Sequence, residues 1–267
     1  MSHDEMLALF DRQMRRDALP DGPEARVERA GDVVRQVGPD PVWNGVIWSD
    51  LNESGADTAI ADQVRHFAAL GRDFEWKLYG HDRPRDLGAR LRAAGLSAEP
   101  PETLMVAEIA ALALEADVPD GVELSEVTGP AGADVVADVH EQAFGTDASQ
   151  IRRRLRAQFA EAPGTVAAVI ATAGGVPVSA ARMELPPGGL FAGLWGGGTV
   201  PAWRHRGLYR ALIAFRARIA AERGYRYLQV DAMDTSRPIL ARLGFAPLAV
   251  TTPYVYRAQG SAPSEPA

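Results

Sequence analysis

Residues 203–210 read WRHRGLYR. In a chain of formal net charge −7, this stretch gathers Arg204, His205, Arg206 and Arg210 around one glycine, Gly207. It follows an apolar segment ending GGGTV (196–200) and precedes a helical pattern, LYRALIAF (208–215). A strand, a basic turn with one glycine and a helix start together form an arrangement able to hold an anion. Unpaired backbone N–H groups at a helix start favour negative charge, and the macrodipole adds to that. Gly207 lets the backbone approach a ligand with no Cβ in the way. Arg204 and Arg206 are placed to add charge-assisted bonds to phosphate oxygens. The bland alternative is a solvated basic turn with no ligand.

The rest of the composition narrows the field. With 267 residues, 46% hydrophobic and 24% charged, the chain has ample material for one large or two smaller domains. The absence of cysteine excludes disulfides, thiolate metal sites and a cysteine nucleophile, and fits a reducing cytoplasm. No metal site is expected. The acidic balance argues against nucleic acid, whose binding needs basic surface to replace counterions. The start, MSHDEMLALFDRQMRR, has early acids and no long apolar core, so it does not read as a secretory signal. The charge-free run 162–181 is long enough to cross a bilayer, but Pro163, Gly164, Gly174, Gly175 and Pro177 break it. Two strands around a TAGG turn explain it better, so no membrane partner is expected.

Working outward from the basic turn, Leu208, Leu212, Phe215 and Ile219 form one helical face closed by Gly224. YRYLQV reads as a strand, PILARLGF as a short helix, and PLAVTTPYVYR as one or two closing strands. The same order occurs earlier. A helix over 57–70 buries Ile60, Val64 and Phe67, the strand FEWKLY alternates, a short helix follows, and TLMVAEI closes. LRAAGL in the first half answers LARLGF in the second, which suggests a degenerate internal repeat. Residues 18–32, ALPDGPEARVERAGD, read as irregular. In the second half, helix AGADVVADVHEQAFG presents Val135, Val139 and Phe144. Helix ASQIRRRLRAQFA presents Ile151, Leu155 and Phe159, which leaves Arg152, Arg153, Arg154 and Arg156 on a solvated side. Strands TVAAVIA, VPVSAARMEL and LFAGLWGGGTV follow. The order is a mixed α/β domain with antiparallel hairpins.

At this point TVPAWRHRGLYRALI (199–213) resembles the pyrophosphate-binding segment of the GNAT superfamily of N-acetyltransferases. That signature is Arg or Gln, two residues, Gly, one residue, then Gly or Ala, where a helix follows a splayed strand. Arg204 and Gly207 match, while Tyr209 stands where the small residue belongs. LARLGF (240–245) resembles the family's closing LYEKLGF, and the resemblance covers roughly 122–257. It implies an α/β (α+β) GNAT fold, with a mixed, mostly antiparallel sheet flanked by helices. Two GNAT-like halves are expected: a degenerate N-terminal domain over 1–115 and an acetyl-CoA-binding domain over 121–257, with a flexible tail at 258–267. The first half offers SDLNESGADTAI before its helix, with acids where phosphate would lie.

The implied function is transfer of acetyl from acetyl-CoA to an amine of a small molecule, by a cytoplasmic monomer or homodimer. A non-catalytic acyl-CoA-binding module is the alternative. The resemblance assigns the backbone of Thr199 and Val200 to the pantetheine amides. It assigns the turn Arg204, His205, Arg206, Gly207, Leu208 and Tyr209 to the pyrophosphate, with Arg206 or Arg210 as charge partner. The family's usual catalytic positions are not filled. Leu240 stands where a tyrosine acid is common, and the strand before the turn has no glutamate. Glu184 and Asp231 are therefore the candidate bases, and Tyr209 is the candidate acid. His140 and Glu141 are weaker candidates. Trp195 leads into the expected acyl site.

Overall fold

The computed structural model describes residues 1–115 and 117–258. The chain opens with α1 (His3–Phe10) and a π-helical turn (Asp11–Arg16), then a meander of β1 (Arg26–Ala30), β2 (Val33–Val37) and β3 (Gly45–Ser49). Next come α2 (Ala56–Ala69), β4 (Phe74–Tyr79), α3 (Leu87–Ala93), the short β5 (Ser97–Ala98) and β6 (Glu102–Glu108). The second half begins with β7 (Val122–Val127), α4 (Pro130–Phe144) and α5 (Ser149–Glu161), and continues through β8 (Val166–Ala173), β9 (Val176–Glu184) and β10 (Phe191–Thr199). It ends with α6 (Leu208–Glu222), β11 (Tyr227–Ala232), α7 (Arg237–Arg242) and β12 (Ala246–Tyr256). Residues 259–267, most of the tail expected from the sequence, lie outside the described residues.

Each half runs strand, helix, parallel strand, short helix, closing strand. β3 pairs in parallel with β4, and β10 in parallel with β11. All strands join one 12-stranded sheet, in the order β1-β2-β3-β4-β12-β6-β11-β10-β9-β8-β7 with β5 beside β12. The closing strands are exchanged. β12, from the second half, lies antiparallel to β4 of the first, from Thr251 opposite Tyr79 to Tyr256 opposite Phe74. β6, from the first half, lies antiparallel to β11 of the second, from Tyr227 opposite Glu108 to Ala232 opposite Thr103. The two exchanged strands pair with each other at the centre.

One face of this sheet carries α6 over Met105, Met183, Leu194 and Leu228. Leu208, Leu212 and Ile219 of α6 are buried as the periodicity requires, and fully burying each such side chain is worth about 1.5–3 kcal/mol. The opposite face is covered across its middle strands by α1, with Phe10 in one cluster with Tyr79, Phe191 and Tyr227. α4 and α5 cover that face further along, through Val136, Val139, Leu155 and Phe159.

Three local readings change. Residues 26–37 are a hairpin, not irregular, with Gly31 at φ +62° in the turn. In β1, Arg26 and Arg29 are exposed and Val27, Glu28 and Ala30 half-buried, so the apolar alternation that marks a strand is missing. Phe144 is exposed and Val135 only half-buried; α4 buries Val139 as expected, together with Val136 and Ala143. Arg154 is not on a solvated side. Its guanidinium lies between Asp21 at 2.9 Å and Glu184 at 2.6 Å.

Candidate functional site

The parallel pairing of β10 with β11 stops early, joining only Phe191, Ala192 and Gly193 to Tyr227, Leu228 and Gln229. Beyond Gly193, β10 stays with β9 and shifts register between Trp195 and Gly198, with Gly196 at φ +57°. A split therefore opens between β10 and β11. Gly193 sits at its apex because a Cβ there would lie 2.7 Å from Gln229 Nε2 and 2.9 Å from Trp195 Nε1. Past the bulge, the amide of Val200 donates to Val178 O at 3.0 Å. Strand alternation then turns the Thr199 amide to the other edge, facing the split.

The basic turn follows. Trp203 N donates to Val200 O, Arg204 N donates to Pro201 O, and the next amide to find a backbone acceptor is Ala211 N, on Gly207 O at 3.1 Å. Between them, the six amides from His205 to Arg210 have no protein acceptor among the described residues. Gly207, at φ +87°, sits before the first turn of α6, which has no side-chain cap and no acid. His205 also takes a positive φ, 62°. The turn borders a cleft of about 410 Å³ between α6 and α7, lined by Thr199, Trp203, Gly207, Tyr209, Arg210 and Arg242 among others.

The arginines divide the work. Arg204 donates from Nε to Thr199 O at 3.2 Å and from Nη2 to Ala143 O, so it braces the turn against β10 and α4. Arg206 stacks on Trp203, 4.6 Å from the ring centre. Arg210 and Arg242 line the cleft without a carboxylate partner among the described residues. The equivalent point of the first half is closed. Asn52 accepts from Gly55 N on its side chain at 2.9 Å and from Ala56 N on its carbonyl at 3.1 Å. Asp57 then occupies the first turn of α2. One helix start is capped by its own chain, and the other is left open.

Tyr209 lies at the split, its ring 3.6 Å from the point where a Cβ on Gly197 would stand. Its pKa is raised, chiefly by burial, with the nearby Arg216 and a hydrogen bond with Ser236 opposing only part of that rise. Arg216 is buried in α6, donates to Leu212 O and Arg182 O, and is lowered to about 10 by burial. Glu184 is not a lone carboxylate: besides Arg154 it has Arg182 Nη1 at 3.5 Å. His140 packs its ring on Phe144, and Glu141 accepts from Ala148 N and Arg152.

Asp231 sits on the wall of the split with its side chain 4% exposed. Its Oδ2 holds Lys77 Nζ at 2.6 Å, while its Oδ1 is buried without a partner. Lys77 comes from β4 of the first half and also has Glu102 at 3.8 Å, contributed by β6. Glu75, next along the same face of β4, accepts from Trp43 Nε1 at 3.1 Å. Lys77 lies 5.7 Å from the Trp195 ring centre. Burial would lower Lys77, but Asp231 and the neighbouring acids hold it above its ordinary value. Burial raises Glu75, and burial pushes Glu102 up to about 7. Lys77, Glu75 and Glu102 carry no local sequence signal. They meet Asp231 only because the closing strands are exchanged.

No family model and no curated protein matches the sequence. Solved structures do. A GCN5-related N-acetyltransferase from Kribbella flavida superposes with a TM-score of 0.71 at 21% identity, over 96% of this chain and 95% of that one. A tandem GNAT protein from the clavulanic acid biosynthesis pathway, solved without acetyl-CoA, gives 0.62 at 14% identity over 98% of each chain. A GCN5-related N-acetyltransferase from Sphaerobacter thermophilus gives 0.59 at 15% identity, over 86% of this chain and 81% of that one. The chain therefore has the GCN5-related N-acetyltransferase fold in its tandem form.

Proposed function

We propose that this protein is an N-acetyltransferase with one acetyl-CoA site, in its second half, acting on a small-molecule amine. The observation that carries this reading is the run of six unpaired amides at the uncapped start of α6, beside a cleft with arginines and no acid. Those residues fit a diphosphate. The amides from His205 to Arg210 would hold it, Arg210 and Arg242 would add charge, and Arg204 would keep the turn in shape. The Thr199 amide offers a strand-like hydrogen bond to an amide of the pantetheine arm.

Acetyl-CoA would bring a thioester: the amine nitrogen bonds to its carbonyl carbon, the C–S bond breaks, and the thiol leaves with one proton. The chain's own part is to position and to move protons. Tyr209, protonated at neutral pH and set beside the bulge, is placed to give the leaving sulfur its proton. Asp231 lies on the wall of the split and orients the acceptor. Glu184, tied to two arginines, fixes α5 to β9 and to the loop of Asp21.

Calorimetric titration of the full chain with acetyl-CoA tests the reading. One site per chain is expected, weakened at least tenfold by Arg210→Ala together with Arg242→Ala. No binding, or affinity unchanged by both replacements, overturns it. Binding followed by no thiol release with any amine of a broad panel would leave an acyl-CoA-binding module.

A further inference from the structure

The seam between the halves holds charge that the chain does not balance. Glu75 and Lys77 come from β4, Glu102 from β6 and Asp231 from β11, all on the sheet face where Trp195 and Gln229 flank the split. Three carboxylates face one ammonium. Tyr79 and Glu99 act on the same groups, and Glu99 adds a further negative charge. A buried carboxylate oxygen without a donor is destabilising, and Asp231 Oδ1 is such an atom, on a side chain 4% exposed. Asp231 lies on β11 two residues past Gln229, the last residue there to pair with β10, and so beside the split. Two tryptophan rings, Trp43 and Trp195, border the cluster, and aromatic faces favour cations.

We infer that this seam is the acceptor pocket, that it takes a short alkyl diamine in its doubly charged form, and that Glu102 receives the proton the reacting ammonium must lose. This rests on the acetyltransferase reading for the chemistry, but not for the binding. With Glu75, Glu102 and Asp231 ionised, two negative charges are left over beside Lys77 and Glu99 adds to them, so a diammonium suits the seam better than a single cation. One ammonium meets Asp231 Oδ1 at the split, and the other lies among Glu75 and the indoles. The proton balance is closed. The ammonium passes H⁺ to the Glu102 carboxylate, and the neutral amine keeps its lone pair for the new C–N bond. The first half is thereby given a purpose its closed helix start does not reveal.

The test uses the full chain with CoA present, titrated at pH 7 with 1,5-diaminopentane, pentylamine and 5-aminopentanoate in two buffers of different ionisation enthalpy. The diamine is expected to bind at least tenfold more tightly than the zwitterion. It should also release protons, because nearby positive charge drives Glu102 to ionise. Glu102→Gln should abolish that release and weaken the diamine about tenfold, with CoA affinity unchanged. Asp231→Asn should weaken the diamine in the same way and serves if the first variant does not fold. Equal or tighter binding of the zwitterion, no binding of the diamine, or proton release that survives Glu102→Gln overturns the inference. Loss of CoA binding alone would instead count against the acetyl-CoA site, since diamine titration without CoA still reads the seam.

Discussion

Gly207 is a residue whose lack of a side chain is spent on conformation. At φ +87° a Cβ would find only Arg210 Nη2, at 3.6 Å, so crowding is not the obstacle. The backbone is, because a left-handed conformation costs an L-residue roughly 1–2 kcal/mol. Gly207→Ala should therefore lower stability by about that amount in urea unfolding, and should weaken CoA more than a distant change of equal cost. Glu102 gives a second expectation. Its folded pKa, about 7, lies above the ordinary 4.5, so between those values the folded chain holds a proton the unfolded chain has lost. Stability from this group is thus full below pH 4.5 and lost as pH rises toward 7. Glu102→Gln should gain on the parent from pH 5 to pH 8, by about 1 kcal/mol after discounting for the part of the side chain still in water. Thermal unfolding at the two pH values checks the sign. Residues of the turn were legible because their roles are local. Lys77 was not, since nothing near FEWKLY indicates that Asp231 will arrive beside it.

At the scale of elements, α6 and α2 show how the same supersecondary unit can be open or shut. The sequence discloses this, because acids precede one helix and arginines the other. It does not disclose that Arg204 would be drawn onto Thr199 O and Ala143 O, since both carbonyls come from elements whose packing sets their positions. The π-helical turn after α1 is a case of the same kind. It points Arg15 into the fold, 2% exposed, where Asp82 accepts from Nη2 at 2.7 Å and Asp11 from Nη1 at 2.8 Å. Arg15 also stacks on Tyr79 at 4.0 Å. Asp82→Asn should cost about 3 kcal/mol, because removing one partner strands a buried charge. The measurement is a denaturant midpoint, with Asp17→Asn, on an exposed pair, as the control that changes little.

For the whole molecule, periodicity and the LRAAGL–LARLGF echo were enough to read two halves. They were not enough to read the exchange, because β6 and β12 carry the same alternation whichever half they join. The exchange bears on the boundary near residue 115. A chain ending there keeps β4 and β6 but lacks β12, which lies between them. It should show no cooperative thermal transition alone, whereas coexpression with residues 116–267 should restore one. A cooperative transition in 1–115 by itself would show that β4 and β6 can pair directly.

Many two-lobed enzymes admit substrate by swinging one lobe away from the other. Here that route is barred, because the sheet runs unbroken from β4 through β12 and β6 to β11, and parting it at the seam would tear the β12–β6 ladder. On the acceptor reading proposed above, an amine would reach Asp231 by rearrangement of side chains and loops within an unbroken sheet, beside the rings of Trp43 and Trp195.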